Sequence, residues 1–148
     1  MNQQDRDTIQ AAIAVLDRHL KTPGVCLSTP VVVKQYLRLA LQTEDREVFF
    51  AMFLDNGMRL IEGVVMFVGT LTQTAVYPRE VARKALSLNA AAVIIAHNHP
   101  SGNPTPSAAD ERLTKHLRSA LELIEVRVLD HVVIAGAHST SFAESGLL

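Results

Sequence analysis

The chain has 148 residues, a length that points to one domain and leaves no room for a second core of normal size. Hydrophobic residues make up 48% and charged residues 20%, so the composition predicts a compact globular core and argues against disorder. The 14 basic and 15 acidic side chains give a net charge of −1, which offers no reason to expect non-specific nucleic-acid binding. The lone cysteine, Cys26, excludes an intrachain disulfide and a cysteine-rich zinc site.

The beginning of the chain shows no targeting signal. Met1 is followed by the polar residues 2–5, not by a basic segment and an apolar stretch, so no secretory signal is predicted. No apolar run approaches the ~20 residues that a bilayer-spanning helix needs. We therefore expect a cytoplasmic protein in a reducing compartment, with no membrane partner.

Two helices are predicted in the first third of the chain. Apolar residues recur at helical spacing over residues 8–20, and the Pro-Gly pair at residues 23–24 is expected to end that helix. A second helix is predicted to start at Ser28 or Thr29, with Pro30 in its first turn.

A β-hairpin is predicted next. The continuous apolar run Val48–Leu54 is typical of a central strand that is covered on both faces. Asn56-Gly57 favours a type I′ turn because both residues accept positive φ angles, and residues 59–68 would form the antiparallel partner.

Helices and strands alternate in the second half. Pro78 is expected to open a helix that ends near Leu88, with Asn89 as its C′ residue. A buried strand, a helix and a last long strand follow at residues 91–96, 107–123 and 126–135. This order predicts an α/β domain with a mixed β-sheet flanked by helices, antiparallel in the hairpin and parallel where helices cross over.

The segment with the clearest chemistry joins the buried strand to the following helix. His97 and His99 are two residues apart, so they point to the same side at the end of that strand. Asp110 falls in the first turn of the next helix, which the Gly/Pro-rich loop allows to fold back onto the strand end. Two imidazoles and a carboxylate suit Zn²⁺ and leave one position for water, as in catalytic zinc sites.

Asp110 also has a purely structural interpretation. Ser107 and Asp110 fit a capping box, with Ser107 as the N-cap and Asp110 at N3, and this role needs no metal. The two roles can coexist if Ser107 caps the helix while Asp110 faces the ion.

The same residues resemble the motif of the JAMM metalloprotein domain, which is also called JAB or MPN. The motif His-x-His-Pro, a spacer and Ser-x-x-Asp is matched by the residues His97, His99, Pro100, Ser107 and Asp110. The resemblance is closest to the bacterial RadC-like branch. It extends to segments 77–81, 88–93, 96–102 and 128–131 and covers roughly residues 29–148. Longer RadC proteins carry an N-terminal helix-hairpin-helix-like region, which the single helix before Pro23 is too short to supply. We therefore expect one domain over residues 1–148, with a helical extension at residues 1–27 and a core from about residue 28.

The resemblance implies a cytidine-deaminase-like α/β core that binds zinc through His97, His99 and Asp110. It also implies a glutamate that acts as general base at the start of a strand, a place that Glu47 matches better than Glu62 or Glu80. By the same resemblance, the Ser107 hydroxyl would donate a hydrogen bond to the tetrahedral oxyanion.

Three functions are compatible with the sequence. The favoured one is a zinc-dependent hydrolase of amide bonds in an unidentified peptide or protein, that is, a metallopeptidase or isopeptidase. The alternatives are a DNA-repair-associated accessory protein and a non-catalytic scaffold. A nucleic-acid partner is not favoured, because the only basic set is Arg79, Arg83 and Lys84. The oligomeric state and the substrate stay open.

The remaining histidines and the cysteine are predicted to be structural. His131 follows Asp130 in an apolar strand and is expected to lie in the core or to support a ligand. Cys26 is expected to be an inert buried thiol. The three other histidines are expected to be solvated, on helix faces or a turn: His19, His116 and His138.

Overall fold

The computed structural model of the protein describes residues 1–21, 30–69 and 76–148. The helices are α1 (Gln3–Lys21), α2 (Pro30–Leu41), α3 (Pro78–Ser87) and α4 (Ala108–Glu122). The strands are β1 (Val48–Leu54), β2 (Leu60–Val68), β3 (Ala92–Asn98), β4 (Arg127–Ala135) and β5 (His138–Ser141). Three predictions lie outside the described residues: the helix end at residues 23–24, the helix start at Ser28 or Thr29, and the burial of Cys26. Within the described ranges, no helix combines the length and the apolar character that crossing a bilayer requires.

The strands of the described residues form one mixed sheet in the order β2-β1-β3-β4-β5. Strand β1 is antiparallel to both of its neighbours, β2 and β3. Strands β3 and β4 are parallel, because α4 crosses over between them, and β5 returns antiparallel to β4. The predicted α/β class with a mixed sheet flanked by helices is therefore confirmed.

Helices cover both faces of the sheet. One apolar core lies between the sheet and the helices α1 and α2, and a second lies between the sheet and the helices α3 and α4. Every residue of β1 and of β3 is buried, which confirms that these strands are central. The continuous apolar runs follow from this position, since alternate side chains of each strand enter different cores.

The β1–β2 turn differs from the predicted type I′ turn. Met58, and neither Asn56 nor Gly57, has a positive φ, of 63°. The Met58 N–H donates to the Asp55 carbonyl at 3.0 Å, and the Asp55 N–H donates to the Arg59 carbonyl at 2.9 Å. This pattern is a three-residue loop in which a left-handed residue follows a type I turn. The Asp55 carboxylate favours it by accepting from the backbone N–H groups of Gly57 and Arg59.

Two further differences between the predicted and the observed elements lie near the ends of the chain. Helix α1 begins at Gln3 and not at residue 8, because Asn2 and Asp5 cap it reciprocally. The Asp5 N–H donates to Asn2 Oδ1 at 2.8 Å, and the Asn2 N–H donates to Asp5 Oδ2 at 3.3 Å. Strand β5 was not predicted, and the exposed His138 begins this strand instead of lying on a helix face or in a turn.

The end of α3 follows the prediction. Asn89 has a φ of 53°, as expected of a C′ residue. The Asn89 N–H donates to the Leu86 carbonyl, and the Ala90 N–H donates to the Ala85 carbonyl at 2.9 Å. This closed helix end directs the chain into β3, whose far end carries the candidate site.

Candidate metal centre

Strand β3 delivers two imidazoles to one place. His97 is the next-to-last residue of the strand and is 1% exposed, while His99 follows the strand and its side chain is 14% exposed. Their Nε2 atoms lie 2.9 Å apart. The backbone N–H of His99 donates to the Ile134 carbonyl at 2.8 Å, so pairing with β4 holds the chain extended through both histidines. The two imidazoles therefore face the same side, as the i, i+2 spacing predicts.

The first turn of α4 supplies a carboxylate to the same place. Asp110 is 4% exposed, and its oxygens lie 3.3 Å from His97 Nε2 and 3.2 Å from His99 Nε2. Ser107 caps the helix: its Oγ accepts from the Asp110 N–H at 3.0 Å, and its own N–H donates to Asp110 Oδ2 at 2.8 Å. The capping box and the approach to the histidines coexist, since Oδ2 accepts from the Ser107 N–H and also faces His99, while Oδ1 faces His97.

The three side chains are coupled electrostatically. Burial alone would raise the pKa of Asp110, but its close contacts with the imidazoles of His97 and His99 outweigh burial and hold that pKa well below its usual range. The hydrogen bond with Asp110 raises the pKa of His99. Asp110 is therefore a carboxylate at neutral pH, the protonation state that a metal ligand requires.

The arrangement fits a metal ion. One ligand atom from each of His97, His99 and Asp110 can be chosen so that all lie within 4.8 Å of one another. Ligand atoms about 2.1 Å from a tetrahedral zinc ion lie about 3.4 Å from one another. The observed separations of 2.9 to 3.3 Å are close to that value. Three protein ligands and a partly exposed His99 suit a bound ion that keeps one position for a small molecule.

The loop after β3 fixes the orientation of His99. Its Nδ1 lies 2.8 Å from the Asn103 carbonyl oxygen. A carbonyl only accepts, so His99 Nδ1 carries the hydrogen. In the neutral ring Nε2 then has a free lone pair, and this is the nitrogen that faces Asp110.

His131 contacts the Nδ1 side of the His97 ring. It lies on β4, is wholly buried, and its Nε2 is 2.7 Å from His97 Nδ1. Burial holds the pKa of His131 well below its usual value. Its Nδ1 lies 2.5 Å from the Thr114 hydroxyl on α4. The prediction that His131 is a core or ligand-supporting residue agrees with this position. Thr114 was not anticipated, although it lies one helical turn after Asp110 on the same helix face.

Glu47 lies close enough to His99 for its charge to act on that imidazole. It directly precedes β1 and is half-buried. The antiparallel register pairs Phe49 with His97, and its continuation places Glu47 opposite His99 on the same face of the sheet. The hydrogen bond with Asp110 contributes most to the raised pKa of His99, and the charge of Glu47 adds to it.

Asn98, between the two histidines, holds the chain segment that carries Glu47. Its side chain points to the other face of β3 and is 3% exposed. Asn98 Oδ1 accepts from the Val48 N–H at 2.6 Å, and Nδ2 donates to the carbonyls of Glu44 and Arg46 at 3.2 and 2.8 Å. This role was not predicted from the sequence, because the three partners lie about fifty residues earlier. The sequence signal that could have indicated this role is a polar residue, Asn98, in a largely apolar strand.

The alternative glutamates pair with cations. Glu62 lies on β2 opposite Phe53 and pairs with Lys84 at 3.3 Å. Glu80 pairs with Arg83 at 2.6 Å, and Arg79 Nε lies 3.9 Å from the same carboxylate. The basic set considered for nucleic-acid binding is thus matched by these carboxylates.

A groove reaches one residue of the cluster, His99. It has a volume of about 390 Å³ and lies between the α2–β1 loop and the loop that follows β3. Its wall includes the carboxylate residues Glu44 and Asp45 as well as His99 and Pro100. The exposed Ser107, which caps the N-terminus of α4, stands at the same end of the sheet.

Comparison with known proteins identifies relatives over the whole chain. A family model described as the RadC-like JAB domain matches residues 27–147. UPF0758 protein YkfG of Escherichia coli K12 is 49% identical over 148 residues, which is 100% of this chain and 94% of that protein. UPF0758 protein YeeS of the same organism is 46% identical over 100% of both chains. UPF0758 protein HEAR2468 of Herminiimonas arsenicoxydans is 58% identical over 84% of this chain and 56% of that longer protein.

Proposed function

The chain belongs to the RadC-like JAB domain family, and we propose that it is a zinc-dependent hydrolase of amide bonds, a metallopeptidase or isopeptidase. The observation that carries the proposal is the cluster of His97, His99 and Asp110, with Glu47 beside it. JAB-type domains include metallopeptidases, so family membership and the donor set point to the same chemistry.

We propose zinc as the metal because two imidazoles and one carboxylate form a borderline-soft set with three protein ligands. Bound in this way, zinc lowers the pKa of a water molecule to about 7 and polarises a carbonyl group. His97, His99 and Asp110 would hold the ion. The hydrogen bond from His99 to the Asn103 carbonyl keeps the Nε2 lone pair of His99 available to the metal.

Glu47 transfers the proton of the attacking water, and Ser107 stabilises the negative charge that develops on the carbonyl oxygen. Glu47 takes a proton from the attacking water and passes it to the leaving amine, which needs a carboxylate next to the metal ligands. The Ser107 hydroxyl accepts from the Asp110 N–H, so its own hydrogen is directed elsewhere. That hydrogen is donated to the carbonyl oxygen of the scissile amide as negative charge builds on it.

We propose that the substrate is a peptide or an extended segment of a protein in the cytoplasm. The groove of about 390 Å³ that reaches His99 offers a path along which such a segment could approach that residue. The carboxylates of Glu44 and Asp45 on its wall favour a segment with basic side chains there.

The test compares Glu47→Gln with Glu62→Gln in the full chain. Glutamine keeps the size of the side chain but cannot accept the proton, so Glu47→Gln should retain zinc and lose hydrolysis by about 10²- to 10⁴-fold. The matched variant Glu62→Gln should retain both. Zinc content is measured by elemental mass spectrometry, and hydrolysis is followed on peptide and isopeptide substrate panels. Full activity in Glu47→Gln would refute the role of Glu47. Zinc binding without any cleavage by the parent would favour the scaffold alternative.

A further inference from the structure

Three buried hydrogen bonds run from His97 to the backbone of Asp110 and connect β3, β4 and α4. His97 Nδ1 lies 2.7 Å from His131 Nε2, and His131 Nδ1 lies 2.5 Å from Thr114 Oγ1. The Thr114 hydroxyl lies 2.7 Å from the Asp110 carbonyl oxygen. His97, His131 and Thr114 are at most 2% exposed. The chain of bonds therefore links the two most buried ligand residues through groups that bind no metal.

The carbonyl at the end of this chain determines where each hydrogen lies. A carbonyl oxygen only accepts, so the Thr114 hydroxyl donates to Asp110. Thr114 Oγ1 has no second hydrogen and must accept from His131 Nδ1–H. A wholly buried imidazole with no carboxylate on either nitrogen is neutral, so His131 Nε2 is bare and accepts from His97 Nδ1–H.

We infer that His131 and Thr114 are positioning residues, which lock His97 in the Nδ1–H tautomer and so keep its Nε2 lone pair directed at the metal site. The inference rests on the proposed metal site but not on the proposed hydrolysis. In an imidazole, the hydrogen bond made by one nitrogen decides which nitrogen can bind a metal. If the direction of the bonds were reversed, His97 Nε2 would carry a hydrogen that must leave before the metal binds.

The surroundings keep the His131 ring in one orientation. The Phe142 ring stacks on it at a centroid distance of 4.5 Å and an angle of 21°, and the Phe49 ring meets it edge-on at 6.2 Å. Asp130 fixes the segment that carries Phe142, because its carboxylate accepts from the Ser141 hydroxyl at 2.5 Å and from the Ala143 N–H at 3.0 Å. The ring therefore cannot turn to exchange the positions of its two nitrogens without unpacking the end of the chain.

The experiment compares Thr114→Val with Thr114→Ser. Valine keeps the shape of threonine and removes the hydroxyl, whereas serine keeps the hydroxyl and removes a methyl group. In Thr114→Val the His131 Nδ1 faces a methyl group, so His131 should shift to the Nε2–H tautomer and donate to His97 Nδ1. The ¹⁵N chemical shifts of both His97 ring nitrogens in metal-free protein report this change directly. The affinity for Zn²⁺ is measured by competition with a chromophoric chelator.

We expect His97 to be the Nδ1–H tautomer in the parent and in Thr114→Ser, and the Nε2–H tautomer in Thr114→Val. Zn²⁺ affinity should fall about 10- to 100-fold in Thr114→Val and much less in Thr114→Ser. A role in packing alone predicts the opposite order, because serine leaves the larger void. Parental ¹⁵N shifts and parental Zn²⁺ affinity in Thr114→Val would overturn the inference.

A second substitution covers the case in which Thr114→Val does not fold. His131→Gln offers Oε1 as an acceptor to His97 Nδ1–H and should retain the parental His97 shifts and most of the Zn²⁺ affinity. A His97 ring with hydrogen on Nε2 in the folded parent would also overturn the inference. Absence of Zn²⁺ binding by the parent would instead refute the metal site and leave the tautomer result standing on its own.

Discussion

Asn98 offers the most quantitative test of how the fold presents Glu47. Asn98→Ala removes one buried acceptor and two buried donors, which serve the Val48 N–H and the carbonyls of Glu44 and Arg46. Each bond contributes about 1 kcal/mol net, and groups left buried without partners cost more. We therefore expect a loss of about 3 kcal/mol in the free energy of unfolding, measured by urea denaturation.

Hydrogen exchange at the Val48 amide separates this account from general destabilisation. Asn98→Asp keeps an oxygen for the Val48 N–H but places negative charge against the carbonyls of Glu44 and Arg46. The Val48 amide should lose its protection in Asn98→Ala and retain it in Asn98→Asp, although both variants are less stable than the parent. An Asn98→Ala variant within about 1 kcal/mol of the parent, with Val48 still protected, would refute the reasoning.

Two further predictions concern the core between the sheet and the helices α1 and α2. A β-carbon on Gly63 would lie 2.7 Å from Tyr36 Oη and 2.8 Å from Phe50 Cζ, so Gly63→Ala should cost about 1–3 kcal/mol in urea denaturation. The control Gly57→Ala, whose β-carbon meets nothing closer than 3.4 Å, should cost less than about 0.5 kcal/mol, and equal losses would contradict this packing argument. Burial raises the pKa of Tyr36 to about 12 from 10.0, so the folded state favours the protonated phenol. That stabilisation is complete below pH 10 and is lost as the pH rises towards 12. The stability of Tyr36→Phe relative to the parent should therefore increase over this range, and a constant difference would contradict the shift.

Local patterns were sufficient to predict most of the fold. The apolar run of β1 predicted a strand buried on both faces. Pro78 and Asn89 indicated the ends of α3, because each acts through its own backbone angles. Strand β5 escaped prediction, since its sequence His138–Ser141 is polar and gains strand structure only by pairing with β4. The turn type at residues 55–59 was wrong because the Asp55 carboxylate, not the Asn-Gly preference, decides the backbone there.

The candidate site was also predictable only where local sequence determines the geometry. His97, His99 and Asp110 could be placed together from spacing, because the strand period and the start of the next helix dictate their geometry. The contacts of Asn98 with the α2–β1 loop and of His131 with His97 join residues that are 34 or more positions apart. No local pattern encodes such pairs, so the groups that orient the ligands emerged only from the folded chain.

The central claim is that His97, His99 and Asp110 bind zinc. The most direct test is elemental mass spectrometry of protein prepared without chelators, beside a His97→Ala/His99→Ala variant whose folding is checked by circular dichroism. We predict near-stoichiometric zinc in the parent and none in the variant. Folded parent protein that contains no zinc and takes up none on addition would contradict the claim and would leave Asp110 as a helix cap alone.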